Sequence, residues 1–349
     1  MITEQQVREA LQQVPFPGLS RDIVSFGLVR DISIDGGIVT VRIAVTSSRT
    51  EVAPQVEQDA RRALEAVPGV SQVNVEMATE EPRQAAPHRP AILPDVRFKV
   101  AMASGKGGVG KSTVAANLAL ALRHAGYSVG LLDADIYGPS QHLMMGCAGK
   151  PQVDQDGKIS PLGAHGVQVM SLGFLMDPDT PVIWRGPMVM KAVEQFLTDV
   201  AWGTLDVLVV DLPPGTGDAQ LTLTQLVPLD GAVIVTTPQD VALIDARKGL
   251  AMFRQVNVPV LGVVENMSVF VCPHCGGESE IFKRGGGERT ARELGVPFLG
   301  AVPLDPTVVT GGDSGTPIVA AAPDSQTGRA FTALAAMVAR NLEGGDRSD

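Results

Sequence analysis

The sequence predicts an α/β protein in which a parallel sheet, covered by helices on both faces, follows a small α+β domain. From Phe98 onward, fully apolar runs of strand length alternate with helical patterns, and parallel strands that are buried on both faces have such continuous runs. The first 78 residues show a different order of elements, and a proline-rich stretch separates them from the rest. Two domains of unequal size are therefore expected.

Residues 1–78 are predicted to form the small α+β domain. Val7, Leu11 and Val14 lie at near-helical spacing, and two alternating segments flank Asp35-Gly36-Gly37, which indicates a β-hairpin. A second helix follows in "TEVAPQVEQDARRALEAV", and a last strand follows in "VSQVNVEM".

A linker is predicted over 79–96, because this stretch contains four prolines, several charges and little apolar periodicity. The large domain then spans 97–343, and 344–349 are expected to be a disordered tail. Its predicted strands are the apolar runs "FKVAMAS", "SVGLLDAD", "VQVMS", "LDVLVVDL", "GAVIVTT", "VLGVVEN" and "PFLGAVP".

Composition limits the partners. The formal charge is -10 and no run is dense in lysine or arginine, which argues against nucleic acid because phosphate contacts dominate that affinity. No run approaches the roughly 18 apolar residues of a membrane span, and the N-terminus lacks a basic segment followed by an apolar one. We therefore expect a cytoplasmic protein without membrane contact. Three cysteines in so long a chain cannot form a disulfide framework.

The stretch "ASGKGGVGKST" (103–113) lies between the first predicted strand of the large domain and a helix, and it matches the phosphate-loop pattern. In such a loop, backbone N–H groups surround the phosphates, a lysine meets their charge and a hydroxyl reaches Mg²⁺. The sequence therefore predicts a P-loop NTPase domain. The expected nucleotide contacts are Gly105, Lys106, Gly107, Gly108, Val109, Gly110, Lys111, Ser112 and Thr113.

The same stretch also matches a dinucleotide fingerprint. Gly105, Gly107 and Gly110 are spaced as G-x-G-x-x-G, and an acid, Asp133, follows them. That fingerprint explains neither the lysine and serine that open the helix nor Asp211, which ends an apolar strand where a phosphate-loop enzyme holds its magnesium water shell. A nucleoside triphosphate is the favoured ligand, and a nicotinamide-dependent oxidoreductase is the competing class.

The loop G-K-G-G-V-G-K-S resembles the deviant phosphate-loop ATPases, which include the division-site, partition, nitrogenase-iron-protein and iron-sulfur-carrier ATPases. In that family the early lysine reaches the partner's phosphates across a dimer. The resemblance therefore implies a homodimer in which Lys106 acts, together with Lys111, on the charge of the transition state. Asp133 is equally interpreted as a magnesium-supporting acid or as a turn residue.

The same resemblance implies further roles. Asp135 orients the attacking water, Asp211 joins Ser112 at Mg²⁺, and the backbone N–H of Gly215 senses the γ-phosphate. Asn266 and the segment 302–306, "VPLDP", match the positions that recognise adenine.

Three further segments indicate the branch of the family. "IYGPSQHLMMG", "WRGPMVMKAVEQFLTDVAWGTLDVLVVDLPPGTGDAQLTL" and "VENMSVFVCPHCGGESEIF" closely resemble the Mrp, or ApbC, branch of ATP-binding iron-sulfur cluster carriers. The leader, through "LSRDIVSFGLVRDISIDGGIVTVRIAVTS", resembles the metal-sulfur cluster biosynthesis domain often fused to these ATPases. Its "VTSSRTEVAP" lacks the cysteine of many such domains, so docking or stabilisation is its expected role.

Cys272 and Cys275 in "VCPHCGG" are half of a closed zinc or [4Fe-4S] site, which needs four ligands. Under the resemblance, a two-fold dimer supplies all four and one [4Fe-4S] cluster bridges the subunits. A structural zinc on the same thiolates, a thiol redox pair and an inert buried pair are the alternatives. Cys147 stands alone and is expected to be a small buried hydrophobe.

The resemblance implies an ATPase that binds ATP and Mg²⁺ and transfers iron-sulfur clusters to apo-proteins, with cluster-assembly scaffolds as further partners. The alternative is a positioning ATPase of the division-site or partition type with a structural zinc at the CxxC. Membrane members of that group use a basic amphipathic C-terminal helix, whereas the last helix here has a core-packing pattern. Its apolar face consists of Phe331, Leu334, Ala335, Val338 and Leu342.

Overall fold

A computed structural model describes residues 2–14, 22–24, 28–44, 52–78, 92–135, 137–176, 186–272 and 274–345. The chain divides into two compact units, Met1–Pro90 and Ala91–Asp349. Residues 79–91 of the predicted linker lie outside the described residues.

The smaller unit is an α+β fold. Its elements are α1 (Glu4–Leu11), β1 (Val29–Asp35), β2 (Ile38–Ala44), α2 (Val52–Glu65) and β3 (Gln72–Ala78). The sheet order is β1-β2-β3, with β1 antiparallel and β3 parallel to β2. Gly36 has a φ of 62° in the hairpin turn, a left-handed conformation that glycine adopts without strain. Helix α2 is the crossover that a parallel strand pair requires.

Helices α1 and α2 contribute to one hydrophobic core with this sheet. A capping box between Thr3 and Gln6 fixes the first turn of α1. Alternate residues of β2 are buried, as are residues of both helices at helical spacing. The buried core of this unit contains Val7, Leu11, Val14, Ile23, Val39, Val41, Ile43, Val56, Ala60 and Leu64.

The larger unit contains the remaining strands and α-helices. They are β4 (Val96–Ala103), α3 (Lys111–His124), β5 (Val129–Asp133), α4 (Gln141–Met144), β6 (Leu162–Ala164), β7 (Val167–Ser171), α5 (Gly186–Thr198), β8 (Leu205–Asp211), α6 (Asp218–Leu226), β9 (Gly231–Thr236), α7 (Asp240–Gln255), β10 (Val260–Glu265), β11 (Phe270–Val271), β12 (Glu278–Ser279), α8 (Gly286–Leu294), β13 (Phe298–Ala301), α9 (Pro306–Asp313), α10 (Ile318–Ala321) and α11 (Gln326–Gly345).

Within the described residues, the central sheet has the strand order β13-β10-β9-β4-β8-β5-β7-β6. All of its pairs are parallel except β6 with β7. The predicted α/β fold is confirmed, and each of the seven predicted apolar runs is a strand. The edge strand β6 was not predicted, because three partly exposed residues give no apolar run. Strands β5, β8 and β4 are adjacent, so their carboxyl ends meet at one edge of the sheet.

Helices α3 and α11 pack on each other and cover part of this sheet. Most of α3 is buried, and the predicted apolar face of α11 is confirmed because all five of its residues are at most 5% exposed. Across the described part of the chain, no helix is both long and apolar enough to cross a membrane.

Both ends of the larger unit differ from the predicted bounds. Leu93 and Val96 are buried, and β4 begins at Val96, so the end of the predicted linker belongs to the core. Apolar packing outweighs the proline content there. Helix α11 extends to Gly345, so two residues of the predicted tail are helical, since each glycine costs a helix only about 1 kcal/mol. Residues 346–349 lie outside the described residues.

Candidate functional site

The predicted phosphate loop connects β4 to α3, which begins at Lys111. Gly110 has a φ of 80°, and a Cβ there would lie 2.2 Å from the Nδ2 of Asn266. A Cβ at Gly105 would lie 2.2 Å from the backbone of Asp245. The close approach of the Asp245 backbone thus requires glycine at 105, and the left-handed φ favours glycine at 110.

The loop surrounds a cavity of about 220 Å³ at the N-terminus of α3, where free backbone N–H groups favour an anion. Lys106 is half-buried at this cavity, and no carboxylate of the described residues lies within ion-pair distance of it. Most of the predicted phosphate contacts are therefore brought together. The lining residues are Ser104, Lys106, Gly107, Gly108, Val109, Gly110, Lys111, Ser112, Thr113, Asp135 and Pro214.

Lys111 is 5% exposed and lies between two acids. Its Nζ forms an ion pair with the Oδ1 of Asp211 and lies 4.0 Å from the Oδ2 of Asp135. It also donates to the Oγ of Ser112 at 3.2 Å. Asp211 is fully buried at the carboxyl end of β8. Residues far apart in sequence, predicted to serve catalysis and magnesium, therefore meet at one ammonium group.

Asp133 organises the loop that follows β5. Its Oδ2 accepts hydrogen bonds from the backbone N–H groups of Ser140 at 2.9 Å and Gln141 at 3.0 Å, and from the hydroxyl of Ser171 at 2.9 Å. Its Oδ1 accepts from the N–H of Asp135 at 3.2 Å. Burial raises the pKa of Asp133 to about 7 and also raises the pKa of Asp135. These contacts favour the turn interpretation of Asp133.

Two predicted nucleotide contacts have other partners in this structure. The N–H of Gly215 donates to the backbone oxygen of Ser104 at 2.9 Å, so a bond to phosphate requires that this one break. The Nδ2 of Asn266 donates to the backbone oxygen of Val109 at 2.9 Å and supports the phosphate loop. Adenine recognition by Asn266 and 302–306 stays a prediction.

The paired cysteines lie on a short hairpin formed by β11 and β12. Cys272 and Gly277 are joined by an N–H to oxygen bond of 2.9 Å, and the N–H of Gly276 donates to the oxygen of Cys272 at 2.9 Å. The backbone N–H groups of His274 and Cys275 and the Cys275 side chain contact the Cys272 sulfur, and they lower the pKa of Cys272. We call residues 270–279 the cysteine knuckle.

The cysteine knuckle is accessible and incomplete as a metal site. Cys275 is exposed and Cys272 is partly exposed, so the interpretation as an inert buried pair is wrong. A lowered pKa favours the thiolate that binds metal. Among the described residues, no group of three or more His, Cys, Asp or Glu side chains could hold a metal ion. Cys147 differs, because it packs against the core and burial raises its pKa to about 11.

A larger cavity of about 690 Å³ lies against the cysteine knuckle. Val271 and Cys272 contribute to its lining, and residues 303–307 form another part. The segment that is predicted to recognise adenine therefore shares a cavity with the first cysteine.

Sequence reasoning missed Gln141 and the hairpin strands. Gln141 is 0% exposed, and its Nε2 donates to the Oδ2 of Asp211 at 2.8 Å and to the backbone oxygen of Ser112 at 3.0 Å. The available signal was a polar residue directly after "GPS", to which no motif assigns a role. Strands β11 and β12 have two residues each, which is too short for an alternating pattern.

Two family models match the chain. Residues 95–339 match the NUBPL iron-transfer P-loop NTPase family, and residues 4–77 match the iron-sulfur cluster assembly protein family. Together the matches cover both structural units.

Individual relatives agree. An iron-sulfur cluster carrier protein of Synechocystis sp. is 48% identical over 345 residues, which are 97% of this chain and 98% of that protein. The iron-sulfur cluster transfer protein NUBPL of Mus musculus is 50% identical over 250 residues, 71% of this chain and 78% of that protein. A solved nucleotide-binding protein of Archaeoglobus fulgidus in complex with ADP is 40% identical with a TM-score of 0.57, covering 63% of this chain and 87% of that chain. The chain belongs to the NUBPL iron-transfer P-loop NTPase family.

Proposed function

We propose that this protein binds a [4Fe-4S] cluster between two of its copies and transfers it to apo-proteins, using ATP. The observation that carries the proposal is the cysteine knuckle, where two accessible thiols lie side by side and backbone N–H groups donate to Cys272. Two copies supply the four thiolates that such a cluster requires. The carrier and transfer names of the relatives support the same cargo.

The phosphate loop is the proposed ATP site. Lys111 meets the phosphates, and Ser112 and Asp211 hold Mg²⁺. Hydroxyl and carboxylate oxygens fit this hard cation, which neutralises charge on the β- and γ-phosphates when bound. Asp135 lies 4.0 Å from the same lysine, and its pKa is raised by burial, which suits a group that orients water and takes its proton.

Lys106 links hydrolysis to dimerisation in this proposal. The side chain lines the phosphate-loop cavity and, among the described residues, has no acidic partner. Because no described acid of its own chain holds this ammonium, it is available to the phosphates of a second copy. There it stabilises the charge that develops in phosphoryl transfer, as a cation supplied in trans does in other phosphate-loop enzymes.

A side-chain contact of Asn266 and the backbone that follows it join the proposed ATP site to the cysteine knuckle. The side chain of Asn266 is hydrogen-bonded to Val109 of the phosphate loop, and Asn266 lies six residues before Cys272. Between them, residues 268–269 are hydrogen-bonded to 302–304, by Ser268 N to Val302 O at 3.0 Å and Leu304 N to Val269 O at 2.8 Å. Through these contacts we expect a shift of the phosphate loop on ATP binding to move the first cysteine, and so to couple ATP binding to cluster release.

Anaerobic reconstitution with iron and sulfide tests the proposal. We expect about four iron atoms per dimer and transfer to an apo [4Fe-4S] protein that is faster with ATP. One zinc ion per dimer and no iron would replace the carrier function with a structural zinc site. Bound iron whose transfer does not respond to ATP would leave a carrier and would remove ATP from the proposal.

A further inference from the structure

Gln141 is a buried polar residue at the start of α4. It is 0% exposed. Its Nε2 donates to the Oδ2 of Asp211 at 2.8 Å and to the backbone oxygen of Ser112 at 3.0 Å. Both hydrogens of the amide are therefore used, and both point at the residues that the proposed function gives to magnesium.

The amide oxygen of Gln141 has a different environment. Within the described part of the chain, Oε1 is buried and has no hydrogen-bond partner. A buried acceptor without a partner is unfavourable, so such an atom usually binds water or a ligand. Because Oε1 and Nε2 belong to one amide group, this oxygen lies next to Ser112 and Asp211. An unused acceptor therefore lies within one amide group of the predicted magnesium ligands.

Asp211 needs a second hydrogen-bond donor because Lys111 has two roles. The ammonium is paired with Asp211, yet the proposed function requires the same group to meet the phosphates. A fully buried carboxylate that loses its only donor is strongly unfavourable. The Nε2 of Gln141 is the side-chain donor that stays on Asp211 when Lys111 turns to the nucleotide.

We propose that Gln141 is a positioning residue of the magnesium site. Its Nε2 fixes Asp211, and its Oε1 accepts a hydrogen bond from a water of the bound Mg²⁺. This inference rests on the proposed ATP function. Mg²⁺ keeps several waters when it binds proteins, and each of those waters needs an acceptor. The affinity for nucleotide gained from Mg²⁺ therefore depends on Oε1, whereas the affinity without Mg²⁺ depends only on the bond from Nε2 to Asp211.

The backbone of Gln141 ties the magnesium site to the loop of Asp135. Its N–H donates to the Oδ2 of Asp133 at 3.0 Å, and the Oδ1 of Asp133 accepts from the N–H of Asp135 at 3.2 Å. One residue thus contacts the ends of β5 and β8 and the first turn of α3. Its side chain and backbone together fix the position of Asp211 relative to Asp133 and Asp135.

Gln141→Leu tests the proposal because it removes both amide atoms at nearly constant size. Binding of methylanthraniloyl-ATP is titrated by fluorescence in excess EDTA and in Mg²⁺. We expect the affinity in EDTA to fall about tenfold, because Asp211 loses its remaining donor when Lys111 turns to the phosphates, and the further gain from Mg²⁺ also to fall about tenfold, as for a lost hydrogen bond at a charged group. Gln168→Leu is the matched control, since its Oε1 is also buried without a partner but lies on β7; it should keep the full gain.

An unchanged Mg²⁺ gain in folded Gln141→Leu overturns the proposal, whereas a wild type that binds no ATP analogue overturns the proposed function instead. If thermal unfolding shows that Gln141→Leu does not fold, Gln141→Met decides. Its side chain is unbranched like that of glutamine and also lacks both amide atoms. Its Mg²⁺ gain should fall about tenfold, and an unchanged gain overturns the proposal.

Discussion

The phosphate loop and the cysteine knuckle differ in how much of each site one chain contains. The phosphate loop is fixed by steric contacts of its glycines, and the ends of β4, β5 and β8 bring its lysine and acids together. The cysteine knuckle has two thiols on a hairpin whose strands have two residues each. Nucleotide binding should therefore need one folded chain, whereas binding of a cluster at the cysteines should need two.

Removing either cysteine of the cysteine knuckle tests the incomplete site and has the largest expected effect. Cys272→Ala or Cys275→Ala leaves two thiolates per dimer, which cannot hold a [4Fe-4S] cluster. We expect loss of cluster absorbance and of bound iron after anaerobic reconstitution, with ATP affinity within about twofold of the wild type.

Cys147→Ala is the control, because this thiol packs against the core and its raised pKa disfavours the thiolate. The variant should bind iron as the wild type does. A Cys272→Ala protein that still holds about four irons per dimer would contradict the bridged site.

Lys106→Ala tests whether the phosphate loop also contributes a residue to the ATP site of a second copy. Since Lys106 has no acidic partner among the described residues, its loss should disturb little within one chain. We expect ATP binding to persist and steady-state hydrolysis to fall about 1,000-fold, the low end of the effect of a cation supplied in trans. Sedimentation in MgATP should show weaker dimers. A wild-type rate of hydrolysis in this variant would mean that Lys106 is a solvated surface residue without a catalytic role.

The same difference explains what could be predicted from the sequence. The phosphate loop is a contiguous motif, and the buried strands are long apolar runs, so both were predicted from local pattern. Asp211 was singled out because it ends such a run. Gln141 was not, since its role arises only when α4 is packed against the ends of β5 and β8. The bond of Gly215 to Ser104 likewise depends on tertiary contact. A metal site that two copies share is visible in one chain only as a site with too few ligands.

Lys111→Ala tests the complete site. The variant loses the ammonium that we propose for the phosphates, so ATP affinity should fall on the order of 100-fold, as for two lost charged hydrogen bonds. It also leaves Asp211 buried without its cation, which costs about 3–5 kcal/mol of unfolding free energy. Calorimetric titration and urea unfolding measure the two effects. Lys150→Ala removes an exposed lysine and should change neither. Equal ATP affinity in Lys111→Ala would remove the phosphate loop from nucleotide binding.

Asp133→Asn has the smallest expected effect and tests the electrostatics beneath the phosphate loop. An unfolded aspartate ionises near pH 4, whereas burial raises the pKa of Asp133 to about 7. Between these values the folded state holds a proton that the unfolded state has lost, so this group lowers stability as pH rises toward 7. The midpoint of thermal unfolding of Asp133→Asn, relative to the wild type, should therefore be higher at pH 8 than at pH 5.

Asp206→Asn is the control for the direction of this pH effect. Hydrogen bonds from Ser128 lower the pKa of Asp206, so its contribution is already complete at pH 5 and does not change up to pH 8. Its midpoint should differ from the wild type by the same amount at both values. If Asp133→Asn behaves in the same way, Asp133 is ionised throughout this range, and its four hydrogen bonds outweigh the burial of its charge.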